Sequence, residues 1–308
     1  MVAFLFAGQG SQYIGMGKDL YAAFPESKAV FDKAQQILGW DIKTKCFEGP
    51  ENMLKMTHIS QPAIFTVSMA ILAAFRELLR GKEIVPSYMA GLSLGEYSAL
   101  TASGFFQFED ALRLVRKRAE LMNEAASKQE GKMAAIIGLD ASEVKKICSC
   151  SGRVDIANFN SPGQLVISGE KEAVDRAKKS ALEKGAKVAL DLGVSGAFHS
   201  NFMWEAAMKF KDILEERVSM DIPKVPVVCN VNARPAYKVV QIIENLTRQI
   251  YSPVLWEDSM RFMLSEGVTK FYEFGPGKVL KGLMRRIEPS AEVVSVEKRE
   301  DIENEAQR

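Results

Sequence analysis

The 308-residue sequence has only two histidines, His58 and His199, and four scattered cysteines. Cys148 and Cys150 have no second cysteine pair and no nearby histidine, so the spacing does not fit a zinc site. We therefore predict no metal, and thiols that stay reduced, as in the cytoplasm. Any step that needs a histidine base has only two residues to choose from.

An excess of charge of one sign is also lacking, since 40 Lys and Arg oppose 39 Asp and Glu for a formal net charge of +1. Such a chain has no broad positive field, so we expect neither nucleic acid nor a membrane as a partner. The apolar residues 1–7 lack the basic start of a signal peptide and are predicted to form a buried strand. No apolar run is expected to be long enough to span a membrane.

The chain is 47% hydrophobic, which is enough for a large core. Strand-like and helix-like segments alternate over residues 1–126, which predicts a mostly parallel sheet covered by helices. Residues 131–192 follow the order β-α-β-β-α-β, typical of an inserted ferredoxin-like subdomain, after which the α/β alternation resumes. One helix is predicted over residues 22–38, and the charged tail at 298–308 is expected to fray.

Ser93 lies in a Gly-Leu-Ser-Leu-Gly segment between a predicted strand and a predicted helix, the pattern of a nucleophile elbow. The flanking Gly91 and Gly95 are expected to let the backbone take a conformation that other residues resist, so that the hydroxyl projects from the turn. The N–H of Leu94 would then face a developing oxyanion. A plain Gly-containing turn is the alternative.

A catalytic serine needs a base. His199 lies in a loop of small residues that leads into a helix, as a ring presented to a cleft would, although a satisfied core histidine is also possible. His58 stands at the entry to a long apolar helix, where a capping or surface role is simpler. We therefore favour His199.

Arg118 lies on the apolar face of the helix predicted over residues 108–126, in line with Val115 and Met122. A buried guanidinium is costly unless it meets an anion. That anion could be a protein carboxylate such as Glu96, which would make a structural ion pair. It could instead be a carboxylate of the substrate, bound by two parallel hydrogen bonds.

Gln9 lies between two glycines directly after the first strand, where open α/β sheets bind ligands. The segment does not fit a phosphate loop or a dinucleotide-binding fingerprint. Its backbone N–H is a candidate second donor to an oxyanion, and a simple turn is equally consistent with the pattern.

Six features occur together in the sequence: residues 8–12 (GQGSQ), 91–100 (GLSLGEYSAL), Arg118, 158–164 (NFNSPGQ), 196–200 (GAFHS) and 273–277 (EFGPG). Taken together, they resemble the malonyl-CoA:acyl-carrier-protein transacylases of bacterial fatty acid synthesis. The similarity runs in order from about residue 2 to about residue 287.

The resemblance implies an α/β-hydrolase-like domain over residues 1–128 and 197–308, with a ferredoxin-like subdomain over residues 129–196. It further implies that Ser93 is the nucleophile, that His199 is its base and that Arg118 binds the malonyl carboxylate. The N–H groups of Gln9 and Leu94 are the implied oxyanion donors.

In the family that this chain resembles, a main-chain carbonyl orients the histidine, and Gln249 matches that position. Asp191 is a candidate for the same task only if that geometry fails. Phe198 would crowd an α-methyl group and so favours malonyl over methylmalonyl. The chain departs from the family at Leu92, where a polar residue is common, and at Ala7, where proline is usual.

The implied activity is transfer of a malonyl group from malonyl-CoA to acyl carrier protein, without a cofactor, by a cytoplasmic monomer. Lys278, Lys281 and Arg285 fall on one face of a short helix and could meet an acidic carrier protein, or form a solvated face. Three alternatives remain: an acyltransferase serving a polyketide synthase, a thioesterase or other hydrolase, and a non-catalytic binding module. A carboxylate-binding arginine argues against generic ester hydrolysis.

Overall fold

Ten strands form two separate sheets in the computed structural model, which describes residues 1–82, 84–194, 196–217 and 220–307. The strands are β1 (Val2–Phe6), β2 (Tyr88–Gly91), β3 (Gly131–Ile137), β4 (Val154–Ser161), β5 (Gln164–Glu170), β6 (Val188–Asp191), β7 (Val227–Val228), β8 (Pro235–Ala236), β9 (Lys270–Phe274) and β10 (Glu292–Val296).

Helices cover the sheets and occupy most of the remaining described chain. They are α1 (Lys18–Ala23), α2 (Pro25–Leu38), α3 (Ile42–Phe47), α4 (Glu51–Leu54), α5 (Thr57–Leu78), α6 (Gly95–Ala102), α7 (Phe108–Lys128), α8 (Ala141–Ser151), α9 (Lys171–Glu183), α10 (Trp204–Arg217), α11 (Val239–Gln249), α12 (Trp256–Ser265), α13 (Val279–Ile287) and α14 (Arg299–Gln307). A 3₁₀ turn, Asn201–Met203, precedes α10.

The larger sheet has the order β10-β9-β1-β2-β7-β8 and is parallel except for the β7–β8 pair. Four of the five residues of β1 are buried, as expected for a central parallel strand with helices on both faces. Phe4 and Phe274 pack edge to face with ring centroids 4.8 Å apart. The predicted mostly parallel sheet is thus confirmed. Its strands β1, β2 and β7 direct their carboxyl ends toward Gln9, Ser93 and Asn230.

The smaller sheet has the order β4-β5-β3-β6, and all of its pairs are antiparallel. Helices α8 and α9 pack on it over a separate apolar core that includes Ile136, Val144 and Val174. The chain order β3-α8-β4-β5-α9-β6 is the predicted β-α-β-β-α-β unit, inserted between α7 and α10. The exact domain boundaries stay a prediction.

The prediction of a single helix over residues 22–38 is wrong, because this segment contains the end of α1 and the whole of α2, separated by Phe24. Phe24 has extended dihedrals (φ −120°, ψ 119°), and Pro25 begins α2. The residue before a proline avoids the helical region, while proline itself suits the first helical position. The local proline therefore ends one helix and starts the next.

The prediction that the charged tail frays is also wrong, since residues 299–307 form α14. Arg308 lies outside the described residues. Ile302 is fully buried, and Tyr272 donates a 2.9 Å hydrogen bond to Glu305. Asp301, in the first turn, reaches back and accepts hydrogen bonds from the backbone N–H groups of Glu297 and Lys298, just before this helix. One buried apolar side chain and these polar contacts hold a helix that is otherwise highly charged.

Helix α5 is long and apolar enough to cross a membrane, with a mean hydropathy of 1.4, so the expectation that no run has this length is wrong. However, 89% of that apolar window is buried inside the protein. Such burial is what a central core helix shows, because the apolar side chains already have protein partners.

Candidate active site

Ser93 occupies the turn between β2 and α6 with a left-handed backbone (φ 52°). The flanking glycines are needed for a different reason from the one predicted, because neither has a positive φ. A Cβ on Gly91 would lie 1.9 Å from the carbonyl carbon of Gly95, and one on Gly95 would lie 2.2 Å from the oxygen of Phe6. Close packing within the turn at Gly91, and against β1 at Gly95, therefore excludes side chains there, and the serine itself takes the strained conformation.

Asn230, which follows β7, holds this turn from the neighbouring strand. Its Oδ1 accepts a 2.7 Å hydrogen bond from the N–H of Ser93, and its Nδ2 donates a 2.8 Å bond to the oxygen of Gly91. Asn230 is fully buried. Both polar ends of one side chain are thus used to fix the backbone of the elbow.

His199 contacts Ser93 and Gln249 through its two ring nitrogens. Nε2 lies 2.7 Å from Ser93 Oγ, and Nδ1 lies 2.7 Å from the main-chain oxygen of Gln249. Because a carbonyl only accepts, Nδ1 must carry the proton, and Nε2 is then free to accept one from the serine hydroxyl. Asp191 instead pairs with Lys132 (2.9 Å) and Lys178 (2.6 Å) at the surface.

The environment of His199 keeps its ring neutral. Burial, and then the positive charge of Arg118, lower the pKa of His199 to about 4. At neutral pH the ring is therefore neutral, with the proton on Nδ1 and with Nε2 as an acceptor. Like Ser93, His199 has a left-handed backbone, with φ 56°. His58 is half-buried in the first turn of α5 and does not cap that helix.

Arg118 is fully buried on α7, as the apolar stripe predicts. Its Nη1 donates to Gln61 Oε1 (2.7 Å), and its Nη2 donates to both Ser93 Oγ and Gln249 Oε1 (3.0 Å each). These partners are all neutral. Among the described residues, no carboxylate lies within 4 Å of the guanidinium, so the alternative of a direct ion pair with Glu96 is wrong.

The amides of Gln9 and Leu94 lie on two segments that pack closely. A Cβ on Gly8 would lie 2.3 Å from the oxygen of Leu92, so the loop after β1 touches the elbow. The Gln9 side chain is anchored to Thr57 (3.3 Å) and Gln61 (3.4 Å). In the described part of the chain neither N–H donates a hydrogen bond to another residue. Both amides are thus available to an incoming oxygen.

A cavity of about 410 Å³ opens over Ser93 and His199, between the elbow, the smaller sheet and α13. Phe198, which is almost fully buried, forms part of its wall. Other lining residues include Gln9, Leu92, Met122, Met133, Asn158, Asn160, Val166, Val279 and Leu283. Within the described residues, no group of three or more potential metal ligands exists.

Comparison with known proteins gives the family. The model of the acyl transferase domain matches residues 3–296. The malonyl CoA-acyl carrier protein transacylase of Bacillus subtilis is 46% identical over 306 residues, which cover 98% of this chain and 95% of that protein. The chain belongs to the malonyl CoA-acyl carrier protein transacylases of the acyl transferase family.

Solved structures agree with this membership in the transacylase family. The malonyl CoA-acyl carrier protein transacylase from Coxiella burnetii is 38% identical with a TM-score of 0.96, covering 100% of this chain and 97% of that one. A malonyl-transacylase in complex with a type II PKS acyl-carrier protein is 40% identical with a TM-score of 0.94, covering 99% of both chains. The expected α/β fold with its smaller antiparallel sheet is therefore confirmed.

Three side chains of this acyl transferase site are not identified by the sequence patterns. Gln61 and Asn230 are buried polar residues, and the Gln249 side chain acts in addition to its main-chain carbonyl. The one available signal is a polar residue within a buried apolar segment, which Gln61 shows in α5.

Proposed function

We propose that this transacylase transfers the malonyl group of malonyl-CoA to the phosphopantetheine thiol of acyl carrier protein, through a malonyl ester on Ser93. The observation that carries the proposal is that Ser93 Oγ contacts both His199 Nε2 (2.7 Å) and Arg118 Nη2 (3.0 Å). A nucleophile, a neutral base and a buried cation meet at one oxygen. We also propose that it acts as a cytoplasmic monomer in fatty acid synthesis.

Acylation begins when Ser93 Oγ attacks the thioester carbonyl and passes its proton to His199 Nε2. The carbonyl oxygen becomes an oxyanion that the N–H groups of Gln9 and Leu94 stabilise. The intermediate collapses by breaking the C–S bond. The coenzyme A thiolate takes the proton from His199, which leaves a malonyl-serine ester and a neutral ring.

Arg118 selects the acyl group by its charge. In the free protein its guanidinium has only neutral hydrogen-bond partners and lies over the Tyr97 ring (5.3 Å), so it is buried without a counter-ion in contact. A malonyl ester on Ser93 carries a carboxylate one methylene beyond the ester carbonyl, within reach of a group that already touches Oγ. This carboxylate takes the place of Ser93 Oγ on the guanidinium and supplies the missing counter-ion, while the contact with Gln249 stays. Phe198 narrows the space beside that methylene.

The second half-reaction repeats the same steps with a different thiol. The phosphopantetheine thiol of the carrier protein gives its proton to His199, attacks the malonyl-serine carbonyl, and the ester C–O bond breaks as Ser93 regains the proton. Helix α13 lines the cavity with Val279 and Leu283, while Lys281 and Arg285 are exposed on it. This arrangement supports the docking of an acidic carrier protein at the mouth of the cavity.

A second candidate is a freestanding malonyl acyltransferase that serves a polyketide synthase. The structural relative in complex with a type II PKS acyl-carrier protein favours it, at 40% identity over 99% of this chain. Both candidates use the same site chemistry. They differ only in the carrier protein that accepts the malonyl group.

Intact-mass measurement tests the proposal. After mixing with malonyl-CoA, the protein should gain one malonyl group, and addition of holo acyl carrier protein should move that mass to the carrier. Carrier proteins from fatty acid and polyketide synthesis, offered in competition, separate the two candidates. If the malonyl group is lost to water at the same rate with and without carrier protein, the chain is a hydrolase. No adduct at all would contradict the proposal.

A further inference from the structure

Glu96 is a fully buried carboxylate directly behind the elbow, two residues past Leu94 on α6. Its Oε2 accepts hydrogen bonds from Gln249 Nε2 (2.7 Å) and from the N–H of Asn230 (3.1 Å). The buried Cys229 thiol is a further, weak hydrogen-bond partner of Glu96, whose Oε1 otherwise accepts no hydrogen bond from the described residues, and burial raises the pKa of Glu96 to about 7. An acid held at this cost, in contact with two residues of the site, calls for a function.

Three contacts, of which the one with Glu96 is the shortest, fix which way the Gln249 amide points. Its Nε2 donates to Glu96 Oε2 and to the main-chain oxygen of Ser93 (2.9 Å), while its Oε1 accepts from Arg118 Nη2 (3.0 Å). In the flipped amide, the oxygen would face two acceptors and the NH₂ would face a guanidinium. All three contacts would then be repulsive, so only one orientation is compatible with the site.

We propose that Glu96 is a positioning residue for the carboxylate clamp, because it holds the Gln249 side-chain amide with its oxygen toward Arg118. The inference rests on the proposed function of Arg118 and adds the residue that orients it. Gln249 then has two separate tasks: its main-chain oxygen accepts from His199, and its side chain aims the guanidinium. Of Gln249, Glu96 touches only the side chain, and it also accepts from the N–H of Asn230, which holds the elbow. Its loss should therefore lower recognition of the malonyl carboxylate more than it lowers the chemistry that all acyl groups share.

Glu96→Leu removes the acceptor with little change in volume. We expect kcat/KM for malonyl-CoA to fall about 10- to 100-fold, the effect of one charge-assisted hydrogen bond, mainly through a higher KM. Transfer from acetyl-CoA has no carboxylate to clamp and loses only the support that Glu96 gives to the elbow through Asn230, so its kcat/KM should fall at least about threefold less than that of malonyl-CoA. Loss of a residue needed only for structure would lower kcat/KM for both substrates by the same factor.

Glu96→Gln is the matched control. Its amide oxygen can occupy the place of Oε2 and accept from Gln249 and Asn230, while its NH₂ takes the place of Oε1. The Gln249 orientation is then preserved, and we expect the malonyl preference to stay within about threefold of wild type. A loss as large as in Glu96→Leu would show that the charge, and not the amide orientation, matters, and would overturn the proposal.

Gln249→Met tests the same link from the other side, and it serves alone if Glu96→Leu does not fold. It deletes the side-chain amide and keeps the main-chain carbonyl that accepts from His199. It also deletes the Nε2 contact with the Ser93 main-chain oxygen, so acetyl transfer should fall as well, but less than malonyl transfer. We expect no further loss of malonyl preference in the double variant with Glu96→Leu, because both changes break one chain of contacts. An equal fall for malonyl and acetyl in Gln249→Met, or fully additive losses, would overturn the proposal.

The wild-type protein separates this inference from the proposed function. If wild type forms no malonyl adduct, or prefers acetyl-CoA, the proposed function fails. If wild type prefers malonyl-CoA and folded Glu96→Leu keeps that preference, only the role of Glu96 fails.

Discussion

Ser93 and His199 face each other through a 2.7 Å contact between Oγ and Nε2, and both hold left-handed backbone angles (φ 52° and 56°). A non-glycine residue in this region costs about 1–2 kcal/mol. The surrounding contacts impose it, through Asn230 on the serine and the Gln249 carbonyl on the histidine. Two strained residues that meet side chain to side chain indicate a site in which stability is exchanged for geometry.

Removal of the hydroxyl or the base tests the roles of this pair. Ser93→Ala should abolish the malonyl adduct, because the elbow offers no other hydroxyl at that position. His199→Ala should slow acylation by about 10²- to 10⁴-fold, the usual contribution of a positioned base. Rapid mixing followed by intact-mass analysis measures both. A Ser93→Ala protein that is still malonylated at one site and passes the group on would refute the assignment.

Backbone strain at Ser93 predicts an unusual order of stabilities. Ser93→Gly and Ser93→Ala both lack the hydroxyl, yet the glycine variant should be more stable by about 1 kcal/mol, since only glycine takes φ 52° without cost. Ser98 in α6 is the control, because there glycine should be less stable than alanine by about 1 kcal/mol. Urea unfolding measures both pairs. Equal stabilities of the two Ser93 variants would mean that the turn is not strained.

Activity should extend to low pH. Because burial and Arg118 lower the pKa of His199 to about 4, the neutral ring persists well below 6.5. We expect kcat/KM for acylation to stay flat from pH 8 to about 5 and to be halved only near 4. Acetyl-CoA, which has no carboxylate to titrate, is the control substrate. A midpoint near 6.5 in pH-jump acylation experiments would show that the ring is solvated.

The pH dependence of the unfolding free energy reports the pKa of His199 less clearly than the pH dependence of acylation does. Between pH 6.5 and about 4 the unfolded chain binds a proton at His199 that the folded chain does not, so stability falls as pH falls through that window. Glu96 acts in the opposite sense. Its pKa is raised from 4.5 to about 7, so the folded chain binds the extra proton and loses this stability as pH rises toward 7. The two contributions offset each other between pH 4.5 and 6.5.

Sequence patterns predict the elements of the fold that are long and periodic, and they miss those that are short. The apolar run of β1 and the amphipathic stripe of α7 are both recognisable. The two-residue strand β8 and the four-residue helix α4 carry too few residues to show any period. Pro25 was a visible break signal, whereas the burial of Ile302 depends on tertiary packing that no local pattern contains.

The site divides in the same way. Ser93 lies in a local motif, and Arg118 is a charge on an apolar stripe, so each carries its own signal. Asn230 and the Gln249 side chain have none, because their partners lie 137 and 131 residues away along the chain. Their importance follows from contacts between separate elements. The structure brings all four together, and their roles stay predictions until tested.

The exposed basic residues of α13 predict where carrier protein docks. Lys281→Glu with Arg285→Glu should raise KM for holo acyl carrier protein at low salt and leave acylation by malonyl-CoA unchanged, because the charges lie outside the reacting centre. Lys145→Glu with Lys146→Glu on α8 makes the same change in net charge on a helix that does not line the cavity. If both pairs behave alike, or if the α13 pair has no effect, the basic face is only solvated surface.

Arg118 ties substrate choice to one buried charge. An arginine fork gives a carboxylate two charge-assisted hydrogen bonds of about 1.5–3 kcal/mol each, so malonyl should be preferred over acetyl by at least about 10- to 100-fold through this residue. Arg118→Ala should lose most malonyl transfer while keeping, or gaining, transfer of acetyl groups. The lost contact between Nη2 and Ser93 Oγ affects both substrates and cancels in their ratio.

The ratio of kcat/KM for malonyl-CoA and acetyl-CoA, in wild type and Arg118→Ala, decides the question. Arg116→Ala is the control, because Arg116 lies on the same helix but pairs with Glu120 at the surface (2.8 Å). Its ratio should match wild type. Removal of the Arg118 charge should also raise the pKa of His199 and move the acid limb of acetyl transfer upward. An equal fall in kcat/KM for both substrates in Arg118→Ala would mean that the guanidinium only supports the elbow, and that the acyl carboxylate is bound elsewhere.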